Sequence, residues 1–164
     1  MKHLWSPWRM EYIQDQSRAS ACIFCEAWAG RQDERTLLVH RGQTAFVILN
    51  RFPYTSGHLM IVPVVHLATL EAVPLPTLTE MMALTQAALA ALREVYQPQA
   101  FNIGANIGEV AGAGIADHVH LHVVPRWAGD TNFMATLAET RVLPEALDET
   151  FRRLRDVWPE SKAP

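Results

Sequence analysis

Asp117-His118-Val119-His120-Leu121-His122-Val123-Val124 alternates imidazole and apolar side chains. Successive side chains of a strand point to opposite faces, so His118, His120 and His122 share one face and Val119, Leu121 and Val123 the other. The apolar row belongs in a core, and the imidazoles, about 6.5 Å from one to the next, line a surface or cleft. Packing alone would favour β-branched residues on both faces. Three histidines in register therefore point to chemistry. Two chemistries use such a row: several imidazoles holding a metal, or a neutral imidazole attacking phosphorus while its neighbours orient it and handle the proton. The preceding run, with Gly108, Gly112 and Gly114, decides for phosphorus. Glycines let backbone N–H groups close on an anion, and a metal alone has no need of that cradle.

The remainder of the chain bounds the setting. Its 164 residues are 49% hydrophobic and 19% charged, which suits one domain with a substantial core. That domain is expected over residues 21–164, behind an N-terminal arm of residues 1–20. The arm's Trp5, Trp8, Met10, Tyr12 and Ile13 are too apolar for a free tail. The longest apolar run, residues 59–65, is interrupted by Pro63 and too short to cross a membrane. The first residues lack the apolar segment of a secretory leader, so a cytoplasmic location is expected. A net charge of −3 argues against binding a nucleic-acid polymer, while a small anionic ligand needs only a local site.

Residues 36–40 and 44–49 are β-rich runs around an Arg41-Gly42-Gln43 turn. Residues 50–57 are turn chemistry, and residues 59–62 form a buried third strand. Residues 101–107 give a fourth strand, and residues 118–124 a fifth that Pro125 closes. The polar stretch 30–35 reads as a loop. Thr77-Leu78-Thr79-Glu80 has capping-box spacing. After it, Leu78, Met81, Leu84, Ala88, Leu92 and Val95 recur on one face of a helix of about five turns. Pro144 opens a last helix with Leu147, Phe151, Leu154 and Val157 on one face. The expected fold is α+β: a five-stranded, mostly antiparallel sheet with one long helix and a C-terminal helix.

With these motifs the chain resembles the histidine triad family, over roughly residues 22–127. Residues 118–124 match its alternating histidines, and Asn50 with Gly57-His58-Leu59-Met60-Ile61-Val62-Pro63 matches its glycine–histidine segment. The resemblance implies a nucleotide-binding enzyme that cleaves at the α-phosphate through a nucleotidyl-histidine. By position it makes His120 the nucleophile and has His122 and His58 help hold the phosphate. Asn50 takes the ribose hydroxyls, Ile23, Phe24 and Leu49 wall the base, and Asn106 lies near the phosphate. Gly114 and Ile115 stand where many family hydrolases carry Gln-Ser or Gln-Thr. Backbone contacts of Gly112, Gly114 and Ile115 survive that change, and the lost side chains do not.

The N-terminal Leu4-Trp5-Ser6-Pro7-Trp8-Arg9 and the ending Pro125-Arg126-Trp127 resemble the diadenosine tetraphosphate phosphorylase branch. This implies a homodimer that takes a substrate such as diadenosine tetraphosphate, or AMP, with inorganic phosphate as acceptor. Arg126 offers a charge to recruit that phosphate if it points inward. The alternatives are a nucleoside phosphoramidate or dinucleoside polyphosphate hydrolase, or a non-catalytic nucleotide- or metal-binding protein.

Both cysteines lie in Cys22-Ile23-Phe24-Cys25, a spacing suited to zinc, which needs two further ligands for a closed site. Galactose-1-phosphate uridylyltransferases are similar here. That likeness implies one structural Zn2+ per chain held by Cys22, Cys25, His66 and His118. His3 and His40 are read as ordinary surface residues.

Overall fold

The architecture follows from which segments can bury a face. A computed structural model describes residues 21–130 and 145–159. Among them, strands β1 (Leu38–Arg41), β2 (Ala45–Leu49), β3 (Leu59–Pro63), β4 (Ala100–Gly104) and β5 (Leu121–Arg126) form one antiparallel sheet in the order β1-β2-β3-β5-β4. The helices are α1 (Ile23–Ala29), α2 (Asp33–Thr36), α3 (Leu75–Tyr96) and α4 (Leu147–Asp156). The expected α+β fold is what forms.

Period-two alternation splits the sheet into two apolar layers. Val47, Leu49, Leu59, Ile61, Val119 and Val123 pack against Met81, Ala88 and Leu92 of α3 and Phe151 and Leu154 of α4. Phe46, Ile48, Met60 and Val62 face the other way and are covered by Phe24 and Ala27 of α1. The helical stripe expected from Leu78 to Val95 is the one that docks. Leu147, Phe151, Leu154 and Val157 all join the same layer.

Several expectations need correction. Stretch 30–35 is not all loop, because Asp33–Thr36 closes a helical turn and Leu37 leaves it at φ 64°. The Thr77–Glu80 capping box does not cap: α3 starts earlier, with Pro74 as N-cap and Pro76 in its first turn, where a missing N–H costs nothing. Glu80 instead accepts the backbone N–H groups of Gln43 and Thr44, both at 2.6 Å, and pins the β1–β2 turn to α3. The fourth strand ends at Gly104, and the fifth begins only at Leu121.

Pro125 does not close β5 but lies within it, opposite Phe101. Its carbonyl accepts the Thr55 hydroxyl at 2.9 Å, away from β4, so its missing N–H removes no bond of that ladder. His40 is half-buried and stacks on Trp158, ring centroids 5.3 Å apart, rather than standing on the surface. The arm, His3 and Pro144 lie outside the described residues.

Candidate active site and metal cluster

The imidazole row departs from an ideal strand at one end. β3 pairs with β5 only from Leu59↔Val123 to Ile61↔Leu121. Before Leu121 the chain peels off the sheet. There His118 donates from Nε2 to the Pro63 carbonyl at 2.8 Å, and the Val119 N–H bonds the Leu67 carbonyl at 2.7 Å. The alternation survives, with Val119 and Val123 in the helix-side core and the histidines on the opposite face. His118 and His120 are buried at 0% and 4% exposure, under the Phe24 ring at 5.3 and 5.0 Å. A row lining a surface or cleft was expected; α1 covers two of its three rings.

The partners of each ring decide where its proton sits. His118 Nε2–H is spent on a carbonyl, so Nδ1 keeps a lone pair, and that atom lies 3.3 Å from Cys22 Sγ and 3.7 Å from Cys25 Sγ. His66 Nδ1 is 3.3 Å from Cys25 Sγ. The four donor atoms all lie within 4.8 Å of one another. Tetrahedral zinc, with bonds of about 2.3 Å to sulfur and 2.0–2.1 Å to nitrogen, sets its sulfur and nitrogen ligands about 3.6 Å apart. The spacing and the unprotonated His118 Nδ1, turned toward both sulfurs, fit such an ion. The cluster gathers the start of α1, the segment after β3 and the entry to β5. Burial, with His66 and His120 adding to it, lowers the His118 pKa despite the Pro63 carbonyl, which favours the neutral ligand form.

His120 is turned the other way. Its Nδ1–H donates to the His118 carbonyl at 2.9 Å, which leaves the lone pair on Nε2. Burial lowers its pKa, with the carbonyl opposing, so the ring is neutral at physiological pH. A neutral imidazole with one nitrogen anchored and the other nucleophilic is what attack on phosphorus requires.

The far end of the row is a relay. Tyr54 donates its backbone N–H to His58 Nδ1 at 3.1 Å, so His58 carries its proton on Nε2 and donates it in a hydrogen bond to His122 Nδ1 at 3.0 Å. The His122 proton is then on Nε2. His58 is fully buried with both nitrogens engaged, so it holds His122 rather than a ligand. The turn before it is tight because Gly57 sits at φ 79°, where a Cβ would come within 2.8 Å of Leu92. Asn50 braces the same turn: its Oδ1 accepts the Phe52 N–H at 2.9 Å, and its Nδ2 lies 3.4 Å from His58 Nδ1.

The remaining expected residues are placed as follows. Ile23 is exposed and Phe24 buried on adjacent positions of α1. Ile115 packs at the margin of the Phe24 layer. Asn106 donates to the Gly112 carbonyl at 3.4 Å, and Gly112 has φ 87°. The Gly108–Gly112 bend wraps a short 3-10 turn, Glu109–Ala111. Leu49 needs correction. It lies in the helix-side core, on the face away from the imidazoles, and Ile48 takes the imidazole-side place. Counting back two residues from Asn50 would have found Ile48. Arg126 is also unlike its expectation. Its guanidinium makes a two-pronged pair with Asp130 at 2.6 and 2.9 Å and donates to Asn102 at 2.7 Å, so its charge is already matched.

Comparison with known proteins agrees with this arrangement. The family model described as the HIT domain matches residues 31–129. An AP-4-A phosphorylase of Mycobacterium tuberculosis is 38% identical over 96% of this chain and 85% of its own length. An adenylylsulfatase of Arabidopsis thaliana is 26% identical over 73% of the chain and 62% of its own length. A zinc-bound histidine triad family protein from Mycobacterium smegmatis superposes with a TM-score of 0.67 at 31% identity, covering 83% of this chain and 91% of that one.

Proposed function

The chain belongs to the HIT domain family, and on that premise we propose that it cleaves dinucleoside polyphosphates at the α-phosphate, with inorganic phosphate as the acceptor. The observation that carries this reading is the His120 tautomer: Nδ1 anchored on the His118 carbonyl, Nε2 presenting its lone pair. His120 Nε2 bonds the α-phosphorus as the bridging P–O bond breaks, and the rest of the substrate leaves, ATP when the substrate is diadenosine tetraphosphate. A phosphate oxygen then attacks the same phosphorus, the P–N bond breaks, and ADP is released. His122 Nε2–H bonds a phosphate oxygen, and His58 keeps His122 in that tautomer. Backbone N–H groups of Gly114 and Ile115 take the remaining charge, whereas the Gly112 N–H, expected to join them, is donated to the Glu109 carbonyl at 2.8 Å. Asn50 meets the ribose, Asn106 stands by the phosphate, and Ile23, Phe24 and Ile48 wall the base.

Cys22, Cys25, His66 and His118 hold one Zn2+ in this proposal. When bound, the ion cross-links the three segments that carry the base wall and the nucleophile. The chain acts as a homodimer through β4, an edge strand with Ile103 exposed. Among the described residues no helix is long and apolar enough to cross a membrane.

The 38% identical phosphorylase supports phosphate as acceptor. Hydrolysis is the second reading, favoured by one observation: Arg126 is paired with Asp130 and brings no unmatched charge to select phosphate over water. Product analysis with diadenosine tetraphosphate separates them. ADP plus ATP in excess phosphate is the expected result. AMP plus ATP at a rate indifferent to phosphate makes the protein a hydrolase, and nucleotide binding without products makes it a binding module.

A further inference from the structure

Helix α1 carries both cysteines' anchorage and the Phe24 wall, yet it is seven residues long. Helices of that length are marginal alone and depend on what docks them. Its N-cap, Cys22, makes no side-chain capping bond. Its C-terminal carbonyls are orphans that need donors. Glu26 receives the Gly30 N–H at 2.9 Å. The next acceptors converge on one side chain from β1. Arg41 Nη1 donates to the Trp28 carbonyl at 2.7 Å, and Nη2 donates to the Gly30 and Ala27 carbonyls at 2.7 and 3.3 Å. Asp33 then takes Nε at 3.1 Å and Nη2 at 2.7 Å, which fixes the plane of the fork. The guanidinium lies 5.0 Å over the Trp28 ring, which stacks on Phe46 at 5.4 Å.

We propose that Arg41 is the positioning residue for the whole α1 side of the site, acting through the helix on the metal cluster and the base wall together. This rests on the functional reading above. A cation at a helix C-terminus also opposes the negative end of the helix dipole. Lysine keeps that charge but offers a point donor in place of a planar fork, so it cannot serve three carbonyls and a carboxylate at once. The coupling runs one way along the helix. If the C-terminal end swings, Phe24 leaves His118 and His120, and Cys25, one turn before Trp28, leaves His66.

The test uses the full chain as Arg41→Lys and Arg41→Met, with Arg153→Gln as a control that frees α4 from the Val95 carbonyl, on the sheet face opposite α1. Each is studied below its melting transition, with native circular dichroism as the criterion for inclusion. Two readouts are taken: zinc affinity, by competition with a chromogenic chelator, and AMP affinity, by calorimetry on zinc-saturated protein. Both Arg41 variants should lose about tenfold or more in each, with lysine the milder, while Arg153→Gln lowers the melting temperature and leaves both affinities unchanged. A merely structural Arg41 would behave like the control, and that result overturns the proposal. So does a loss confined to one readout. If wild-type protein binds no zinc, the metal reading fails. AMP affinity still decides the role of Arg41: a tenfold loss keeps it as the base-wall anchor, and no loss rejects it.

Discussion

His118 and His120 are two residues apart on one face and both buried, yet their protons sit on opposite nitrogens. At the cysteine end the Pro63 carbonyl takes Nε2–H of His118 and leaves Nδ1 facing the two cysteine sulfurs. Two residues on, the His118 carbonyl takes Nδ1–H of His120 and leaves the lone pair on Nε2. The side chains are chemically identical. The difference lies in which backbone oxygen each ring can reach, and one carbonyl is set by where the chain leaves the β3–β5 ladder. Two tautomers therefore arise from one alternating row, because both rings lie before β5 begins and each meets a different backbone carbonyl there.

Alanine at the two rings should have unequal consequences. His120→Ala should cut turnover by about a thousandfold or more, because it removes the nucleophile of a two-step displacement. AMP affinity should hardly change. Retention of more than about a tenth of the activity rejects His120 as nucleophile. His118→Ala keeps its backbone carbonyl and so keeps the His120 tautomer. It should leave the protein without zinc by elemental analysis and lower turnover by only about 10–100-fold. Equal losses in the two variants would erase the distinction drawn between the rings.

His58→Ala probes the relay at the far end. It should cost roughly tenfold in kcat, through a His122 ring no longer held in one tautomer, with KM less affected. The smallest effect belongs to a histidine outside the row. Burial lowers the His40 pKa, with Glu80 opposing and Arg155 reinforcing. The unfolded chain then protonates first, near the usual value of about 6.5, so the stability His40 provides is present above that pH and lost as pH falls below it. Melting curves of His40→Gln should accordingly lose a small part of the wild-type decline between about pH 7 and 5. Parallel curves would show that His40 contributes none of it.

The alternation of residues 118–124 was readable because period two is a local property, and it correctly assigned Val119 and Val123 to the core. The same rule, applied from Asn50, would have placed Ile48 rather than Leu49 on the imidazole face. Within the metal set Cys-x-x-Cys announces itself by spacing, while His66 and His118, brought to it by tertiary structure, were legible only through the likeness to the uridylyltransferases. Glu80 shows a further limit. Its spacing from Thr77 satisfies a local capping pattern, but the turn at Gln43 and Thr44 offers two N–H groups from across the sheet and wins. Arg126 reads as an available cation until Asp130, four residues on, is seen to hold it. Arg41 carries no sequence signal at all, because its acceptors are main-chain carbonyls of a helix more than ten residues away.

In the proposed reaction His120 attacks through Nε2. Protein labelled with 15N at histidine, mixed with diadenosine tetraphosphate in the absence of phosphate and quenched in base, should contain an AMP adduct on His120. Its phosphorus–nitrogen coupling should identify Nε2, and adding phosphate before the quench should discharge the adduct as ADP. An adduct on Nδ1, an adduct on His122, or products formed at full rate with no adduct on any histidine would each contradict it.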